Sequence, residues 1–441
     1  MNKLSRRLNK MIQLGYWPGF IIGMYPSQFA YKPIKVDFKK AWEHAEEVNL
    51  YFHMPFCKWS CSFCTFFKVV SKDEDLYHRY MDKVLEEIRF YSDIFSRPVD
   101  AKSICFGGGT PNVIAVSDYE RLFNALEKSN FQFDKDLEPS MEISPEIISE
   151  DYIAGLASVG IKRLSLGVQS LVGELRKGVN REKTLNILRI VDSIRKYNLN
   201  INIDLINGIR GQDFHSFMET LREIVKFAPE TISIYPISGQ ANSMFRKSEQ
   251  QMTTRDKYEL WDIYHDYLAS NGYDCESHVK WIKKNQHSTH QQKIYEYKGV
   301  ETLGIGCGAR SYNNLVHYGT SSWNDQKLVK RAIEDYMTKD YHDLSWYGFE
   351  MNLDENRRRS IIYAWFLGYL DLADYRLKYH SHPIHDYPDE FEALSDNGLI
   401  DVTDTFITLT RKGRKYTDLC GTLFWSETIS KMFHDVHYAN G

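Results

Sequence analysis

VNLYFHMPFCKWSCSFC, residues 48–64, is the stretch from which the fold of this chain can be read. Its first half, residues 48–54, is a short, largely apolar run of the kind that forms a buried strand. Pro55 ends the run, and Cys57, Cys61 and Cys64 follow at once. Five more runs of the same kind come after it: SICFGGG (103–109), SMEIS (140–144), RLSLGVQ (163–169), INIDLING (201–208) and TISIYPI (231–237). Helix-like stretches separate them, at 73–95, from the capping box Ser117-Asp118-Tyr119-Glu120 onward, and near 183–197, 214–227 and 254–270. Alternation of strand and helix builds a parallel sheet with helical crossovers. Six such units predict an α/β fold, a partial (β/α)6 barrel of the TIM type. Gly107–Gly109, Glu142, Gln169 and Asp204 recur at the C-terminal ends of the runs. That is the face where parallel α/β sheets carry their chemistry.

Outward from this core, 46–275, the chain divides into three further parts. Residues 1–45 read as an irregular N-terminal extension rich in aromatics (Tyr16, Trp17, Phe20, Tyr25, Phe29, Tyr31), broken at Trp17-Pro18-Gly19 and Tyr25-Pro26-Ser27. It is expected to cover apolar surface of the main domain or to serve as a substrate lid. Residues 276–340 form an extension that carries GIGCGARSY (304–312). Residues 341–441 read as a helical, winged-helix-like C-terminal domain. Helices are expected at 354–369 and 388–397, and LIDVTDTFITLTRKG (399–413) reads as two short strands and a turn. The basic cluster Arg411, Lys412, Arg414 and Lys415 is read there as a solvated turn in preference to a DNA contact.

The 441 residues hold 55 Lys and Arg against 59 Asp and Glu, a net charge of −4, with 43% hydrophobic and 26% charged residues. This is an ordinary globular composition, which excludes a mostly disordered chain and gives no global basic field for nucleic acid. No apolar run reaches 18 residues, so no membrane span is expected. The basic start, Met1–Lys10, lacks a following apolar stretch, so no secretory signal is expected and the reading is cytoplasmic.

Three of the seven cysteines, Cys57, Cys61 and Cys64, share one short loop. A secreted disulfide framework would spread them out, whereas clustering points to metal. Three thiolates can hold three irons of a cubane and leave the fourth iron open to a small molecule. A Cys3His zinc site using His53 is the alternative. Glycines at the next strand end, Phe106-Gly107-Gly108-Gly109-Thr110-Pro111, let the backbone approach a ligand closely and favour the open cluster. Glu142 and Asp204 are acidic groups in apolar runs and need partners, which a zwitterionic ligand or ribose hydroxyls would provide, as would a buried ion pair.

In these residues the chain resembles the radical S-adenosylmethionine superfamily, and within it the oxygen-independent coproporphyrinogen III oxidase-like (HemN/HemW-like) family. The resemblance runs from about Tyr51 to Tyr312, and more weakly to about residue 425, through YFHMPFC, FGGGTPN, MEISPE, KRLSLGVQS, VNRE, NIDLINGIRGQ, SIYPI and GIGCGARSY. It implies a 4Fe-4S cluster on Cys57, Cys61 and Cys64, and one or two molecules of S-adenosylmethionine. Reductive cleavage of that molecule would give a 5′-deoxyadenosyl radical, for oxidation or methylation of an organic substrate such as a tetrapyrrole. The implied roles place Tyr51 near the sulfonium and Gly108, Gly109 and Thr110 on the methionine part. Glu142 would meet its amino group, Arg181 its carboxylate, and Gln169 and Asp204 the ribose. A flavodoxin or ferredoxin is the implied electron donor. The alternative within the family is a HemW-like heme-binding and trafficking protein without substrate turnover.

Three positions depart from the family pattern. Phe66 stands where the anaerobic oxidase has a further cysteine. The HNxxYW heme motif of the chaperones is not intact in residues 287–297, although His278, His287 and His290 are candidate heme ligands. Arg210 in GIRGQ replaces a usual proline, read as a surface turn. Cys307, beside Arg310, is a candidate reactive thiol or a small packed residue, and Cys105, Cys275 and Cys420 read as isolated or buried.

Overall fold

The computed structural model describes residues 2–15, 24–182, 184–237, 252–286, 290–321 and 326–438. The six expected strands are present as Glu47–Met54, Val99–Gly108, Ser140–Ile143, Arg163–Gln169, Asn200–Asn207 and Thr231–Pro236. They pair parallel in that order. Each strand separates its two faces. Val48, Leu50, Phe52 and Met54 are fully buried on one side, under helices such as Glu74–Ile94. On the other side Asn49 accepts from Ser103 (2.7 Å), and Asn202 donates to Ser165 (2.7 Å) and accepts from Ser233 (2.9 Å). The interior of the barrel is therefore polar and hydrogen-bonded, and the apolar packing lies between sheet and helices.

A seventh parallel strand, Glu301–Ile305, lies beside the first, with Leu303 opposite Leu50 and Ile305 opposite Phe52. This segment falls in the expected extension 276–340, and its Leu303 and Ile305 are fully buried. The sheet continues antiparallel through Arg310–Tyr312, Val316–Gly319, Trp346–Glu350 and Lys32–Ile34. At its other edge Lys280–Lys283 and Tyr273–Ser277 pair antiparallel. No described helix is long and apolar enough to cross a membrane.

Three expectations need correction. The N-terminal extension is not irregular throughout. Lys3–Gln13 is a helix, capped by Asn2, whose side chain accepts from Ser5 N at 2.7 Å. Its Leu8 is buried in the C-terminal core, Asn2 donates to Glu392 (3.1 Å), and Asn397 donates to the Ser5 carbonyl (3.2 Å). It covers the C-terminal unit, where Leu4, Met11 and Ile12 pack beside Leu8, and at its end Arg255 of the helix Thr254–Ser270 donates to the Gln13 carbonyl (2.9 Å). Phe38 and Trp42, further on, do join the barrel core. Of the aromatics behind the lid reading, Tyr16, Trp17 and Phe20 lie outside the described residues.

The capping box at Ser117 does not form. The helix Val116–Glu127 begins one residue earlier, with Ala115 at its cap and no side-chain cap bond. Asp118 is held instead by Arg121 (2.9 Å) and His78 (2.8 Å). The basic cluster, finally, is not a freely solvated turn. Arg411 pairs with Asp266 (2.6 Å), Lys415 with Asp262, Lys412 donates to the Asn397 carbonyl (2.8 Å), and Arg414 to the Cys275 carbonyl (3.4 Å). The Arg411 and Lys415 pairs join the C-terminal unit to the barrel helix Thr254–Ser270, and Arg414 joins it to the edge strand Tyr273–Ser277. That unit packs Trp365, Phe366, Phe391 and Phe424 in a core of its own beside the three-stranded sheet of Tyr369–Asp371, Phe406–Leu409 and Ile400–Val402.

One buried carboxylate ties the GIGCG turn to the barrel. Glu87 accepts from Gly306 N (2.8 Å), Tyr336 (2.6 Å) and Tyr341 (2.9 Å). Gly306 has φ 99°, and a Cβ there would lie 2.7 Å from the His53 carbonyl and from the Tyr80 hydroxyl, so only glycine fits. Burial outweighs the three donors and pushes Glu87 up to about 7. A carboxyl raised in the folded state holds its proton while the unfolded one has lost it, so stability falls as pH rises from about 4.5 to 7. The linked cost is about 3 kcal/mol. Glu87→Gln is expected to lessen this fall. Melting temperatures of both proteins from pH 5 to 8 test it, and parallel pH curves would contradict it.

Candidate functional site

The cysteine loop is pinned at both ends. Phe56–Cys57 pairs parallel with Val69–Val70 at its base. Across the loop Asn180 donates to the Ser60 carbonyl (2.8 Å), and Ser62 N donates to the Val179 carbonyl (3.4 Å). Two sulfurs receive hydrogen bonds: Thr110 Oγ1 donates to Cys57 Sγ at 3.3 Å, and Arg181 Nε to Cys61 Sγ at 3.1 Å. Lys68 donates to the Cys64 carbonyl at 2.9 Å. Burial pushes the Cys57 thiol up to about 11 and also raises Cys61, against the pull of Arg181. These thiols are therefore protonated at neutral pH until a metal displaces the proton.

Among the described residues no three His, Cys, Asp or Glu gather closely enough to hold one metal ion. A single tetrahedral zinc would require such a gathering, whereas a cluster offers each thiolate its own iron. His53, the fourth ligand in the zinc alternative, is engaged elsewhere. Its Nε2 meets the Phe67 carbonyl at 2.8 Å, and burial lowers it to about 4. The His53 ring also lies under Gly108, whose φ is 107° and whose missing Cβ would be 2.6 Å from the ring. The donor set fits an iron–sulfur cluster.

Tyr51 and Glu142 face each other across the polar interior. A Cβ on Gly107 would lie 2.8 Å from Tyr51 Oη and 2.9 Å from Glu142 Oε2. Protein surrounds Glu142, yet its side chain faces open space inside the barrel. Among the described residues its one hydrogen bond, from Gly108 N, is long at 3.4 Å. Burial, then the nearby Asp204, pushes it up to about 7. Asp204 is better satisfied, accepting from Asn202 (2.7 Å) and Ser165 (3.0 Å), though burial still raises it. Gln169 sits at φ 69° after an irregularity in its strand, which turns its amide back over Gly167. The structure thus brings Tyr51, Gly108, Gly109, Thr110 and Glu142 together beside the cysteine loop.

Arg181 is committed further than the sequence indicated. Besides Cys61 it binds Glu146 (2.9 Å) and the Gly167 carbonyl (3.1 Å). Glu146 also binds Arg176 (2.6 Å), and the side chains of Glu146 and Arg176 are wholly buried. Burial raises the Glu146 carboxyl, but Arg181 and Ser144 outweigh it and leave it below the ordinary range. Sequence reasoning missed this pair of arginines on one carboxylate. The available signal is two arginines five residues apart, Arg176 on the helix Gly173–Gly178 and Arg181 just beyond it.

Cys307 is fully buried, its thiol is raised by burial, and its sulfur lies 3.7 Å from Thr320 Oγ1, so it is not an activated thiol. Its supposed activator, Arg310, turns to Gln28. His278 stacks on Phe366 (4.4 Å), and burial lowers it to about 3. His290 is likewise lowered by burial, and His287 lies outside the described residues. Arg210 is exposed on its turn.

Residues 51–224 match the radical SAM superfamily. The chain is 26% identical over 386 residues to the oxygen-independent coproporphyrinogen III oxidase of Escherichia coli K12, covering 83% of each protein. It is 24% identical over 387 residues to the heme chaperone HemW of Buchnera aphidicola, covering 84% of this chain and 96% of that one. The solved structure of E. coli coproporphyrinogen III oxidase (HemN), a radical SAM enzyme, superposes with a TM-score of 0.78 at 22% identity, over 94% of this chain and 98% of that one. This last likeness is one of fold.

Glu146→Ala would leave two buried guanidiniums facing each other without a counter-charge, a loss of about 3–5 kcal/mol. Glu146→Gln, which keeps an acceptor, is expected to lose less. Denaturant unfolding of the two variants checks both the size and the order.

Proposed function

We propose that this chain is a HemN/HemW-like member of the radical SAM superfamily, an enzyme acting on a small organic substrate in the polar interior of the barrel. The cofactors of the superfamily are a 4Fe-4S cluster and S-adenosylmethionine, which together supply one-electron reductive cleavage of a carbon–sulfur bond. Cys57, Cys61 and Cys64 would hold the cluster, with Thr110 and Arg181 donating to two of its thiolates and so setting its potential. Glu142 would accept from the amino group of S-adenosylmethionine while Gly108, Gly109 and Thr110 pass along its methionine part.

The single observation that carries this reading is Glu142. It is a carboxylate inside the barrel with one long hydrogen bond, beside the cysteine loop and opposite Tyr51, and its arrangement calls for a cationic partner. Arg181, already bound to Glu146 and Cys61, acts first by orienting the cluster loop, and the methionine carboxylate is its second partner. Gln169 and Asp204 lie on neighbouring strands, where the ribose would extend. Substrate oxidation and methyl transfer both remain open to this arrangement, and a tetrapyrrole is the substrate suggested by the relatives. An external one-electron donor of the flavodoxin or ferredoxin class completes the scheme.

The relation to HemW, at an identity close to that of the oxidases, supports a second reading, heme binding without turnover. The two separate in one experiment. The protein is reconstituted anaerobically with iron and sulfide, then given dithionite, S-adenosylmethionine and either coproporphyrinogen III or heme. Cys57→Ala serves as the control. Cluster-dependent 5′-deoxyadenosine with an altered tetrapyrrole is the expected result, and S-adenosylhomocysteine alongside it marks methyl transfer. Stoichiometric heme binding with no cleavage would sink the enzyme reading.

Glu142 adds a pH signature. Its carboxyl must release a proton to receive the ammonium, so S-adenosylmethionine affinity is expected to rise as pH increases through about 7 and then level off. Glu142→Gln is expected to flatten this profile and to weaken binding at pH 8 by about ten- to a hundredfold. Equilibrium binding from pH 6 to 8.5 measures both.

A further inference from the structure

A second cluster of buried polar groups lies where the N-terminal extension, the antiparallel edge of the sheet and the helix Leu353–Leu367 meet. The strand register builds it. Tyr312 is paired with His317, and Arg310 with Gly319, so these side chains share one face. Gly319 leaves room for Arg310, whose Cγ would lie 3.2 Å from an added Cβ. Tyr31 enters just before the strand Lys32–Ile34 at the same edge. Arg359, from the C-terminal helix, completes the cluster, its guanidinium 4.5 Å from the centre of the Tyr363 ring.

These groups share an anomaly. Arg359 is 3% exposed, Tyr31 6% and His317 0%. Arg359 Nε and Nη2, Arg310 Nε, the Tyr31 hydroxyl and both His317 ring nitrogens have no hydrogen-bond partner among the described residues. Neither guanidinium has a salt bridge there. Among the described residues Arg310 reaches neutral groups, Gln28, Tyr312 and the sulfur of Met24 (3.8 Å). The nearby carboxylates are taken. Glu296 accepts from Gln292 (2.9 Å) and Lys293 (3.0 Å), and Glu301 accepts from Asn314 N (2.9 Å) and Nδ2 (3.0 Å). Buried N–H and O–H groups seldom go unpaired, and an uncompensated buried guanidinium is the costliest case.

We propose that Arg359, Arg310, His317 and Tyr31 form a binding site for an oxyanion, a carboxylate or phosphate group carried by a small molecule. The planar guanidinium of Arg359 presents Nε and Nη2 as the adjacent pair that binds two oxygens of one oxyanion. The Tyr31 hydroxyl and one nitrogen of neutral His317 supply further donors. Arg310 is half-buried, the most accessible of the four. The site needs no metal and includes none of the three cysteines.

Titration calorimetry and thermal melting of the full-length chain, at fixed ionic strength in chloride, test it with inorganic phosphate and with succinate as separate probes. Saturable binding of either probe is expected, and the probe that binds more tightly identifies phosphate or carboxylate as the preferred group. Arg359→Gln is expected to weaken that binding by about tenfold or more. Tyr31→Phe, a milder change, is expected to weaken it measurably while leaving the fold intact, and it decides the matter if Arg359→Gln does not fold. Cys57→Ala is expected to bind as the wild type does, so a failure of the cluster reading leaves this result standing. The absence of binding beyond that of chloride overturns the proposal, as does unchanged binding in Tyr31→Phe and in any folded Arg359→Gln.

Discussion

The division of each barrel strand into an apolar and a polar face governs the molecule. Val48, Leu50, Phe52 and Met54 commit the outer face to the helices, so the dry core lies outside the sheet. The inner face can then stay polar, provided its groups find partners. Asn49, Ser103, Ser165, Asn202 and Ser233 find them in one another. Glu142 has only one long bond, and it stands next to the cysteine loop. A barrel filled with branched apolar side chains would have no room for such a group.

The loop itself is held by polar contacts, because so short a segment has little apolar surface to bury. Glu146 fixes Arg176 and Arg181, Arg181 reaches Cys61, and Asn180 and Val179 hold the loop backbone. A buried carboxylate between two guanidiniums is a demanding arrangement, and its benefit here is directional. It aims one N–H at one sulfur. Pre-set donors of this kind need not reorganise when thiolate charge develops.

Much of this was legible in the sequence. The six strand runs were clear because each is short, apolar and followed by a helical stretch, and the cysteine spacing together with FGGGTPN marked the face that carries the site. What stayed hidden depends on contacts between distant segments. Glu301–Ile305 is only five residues long, with polar Glu301 and Thr302 and a glycine among them, and signals no strand until Glu47–Met54 offers a parallel edge. Arg181 read as a ligand contact because nothing local shows that Glu146 folds beneath it. The basic residues 411–415 read as solvated because their partners, Asp262 and Asp266, lie about 150 positions earlier in the chain. Period and composition report what a segment does alone, whereas pairing across the chain is a tertiary fact.

The helix Lys3–Gln13 gives the fold a particular order in time. It is made well before its partners, because Glu392 lies 390 residues beyond Asn2 and Asn397 lies 392 beyond Ser5. During synthesis its apolar stripe has nothing to pack on until almost the whole chain has emerged. The barrel, whose neighbouring strands are mostly close in sequence, can assemble in the meantime. Closure of the C-terminal core then waits for these two distant segments to meet, so a helix made early acts as a piece fitted late.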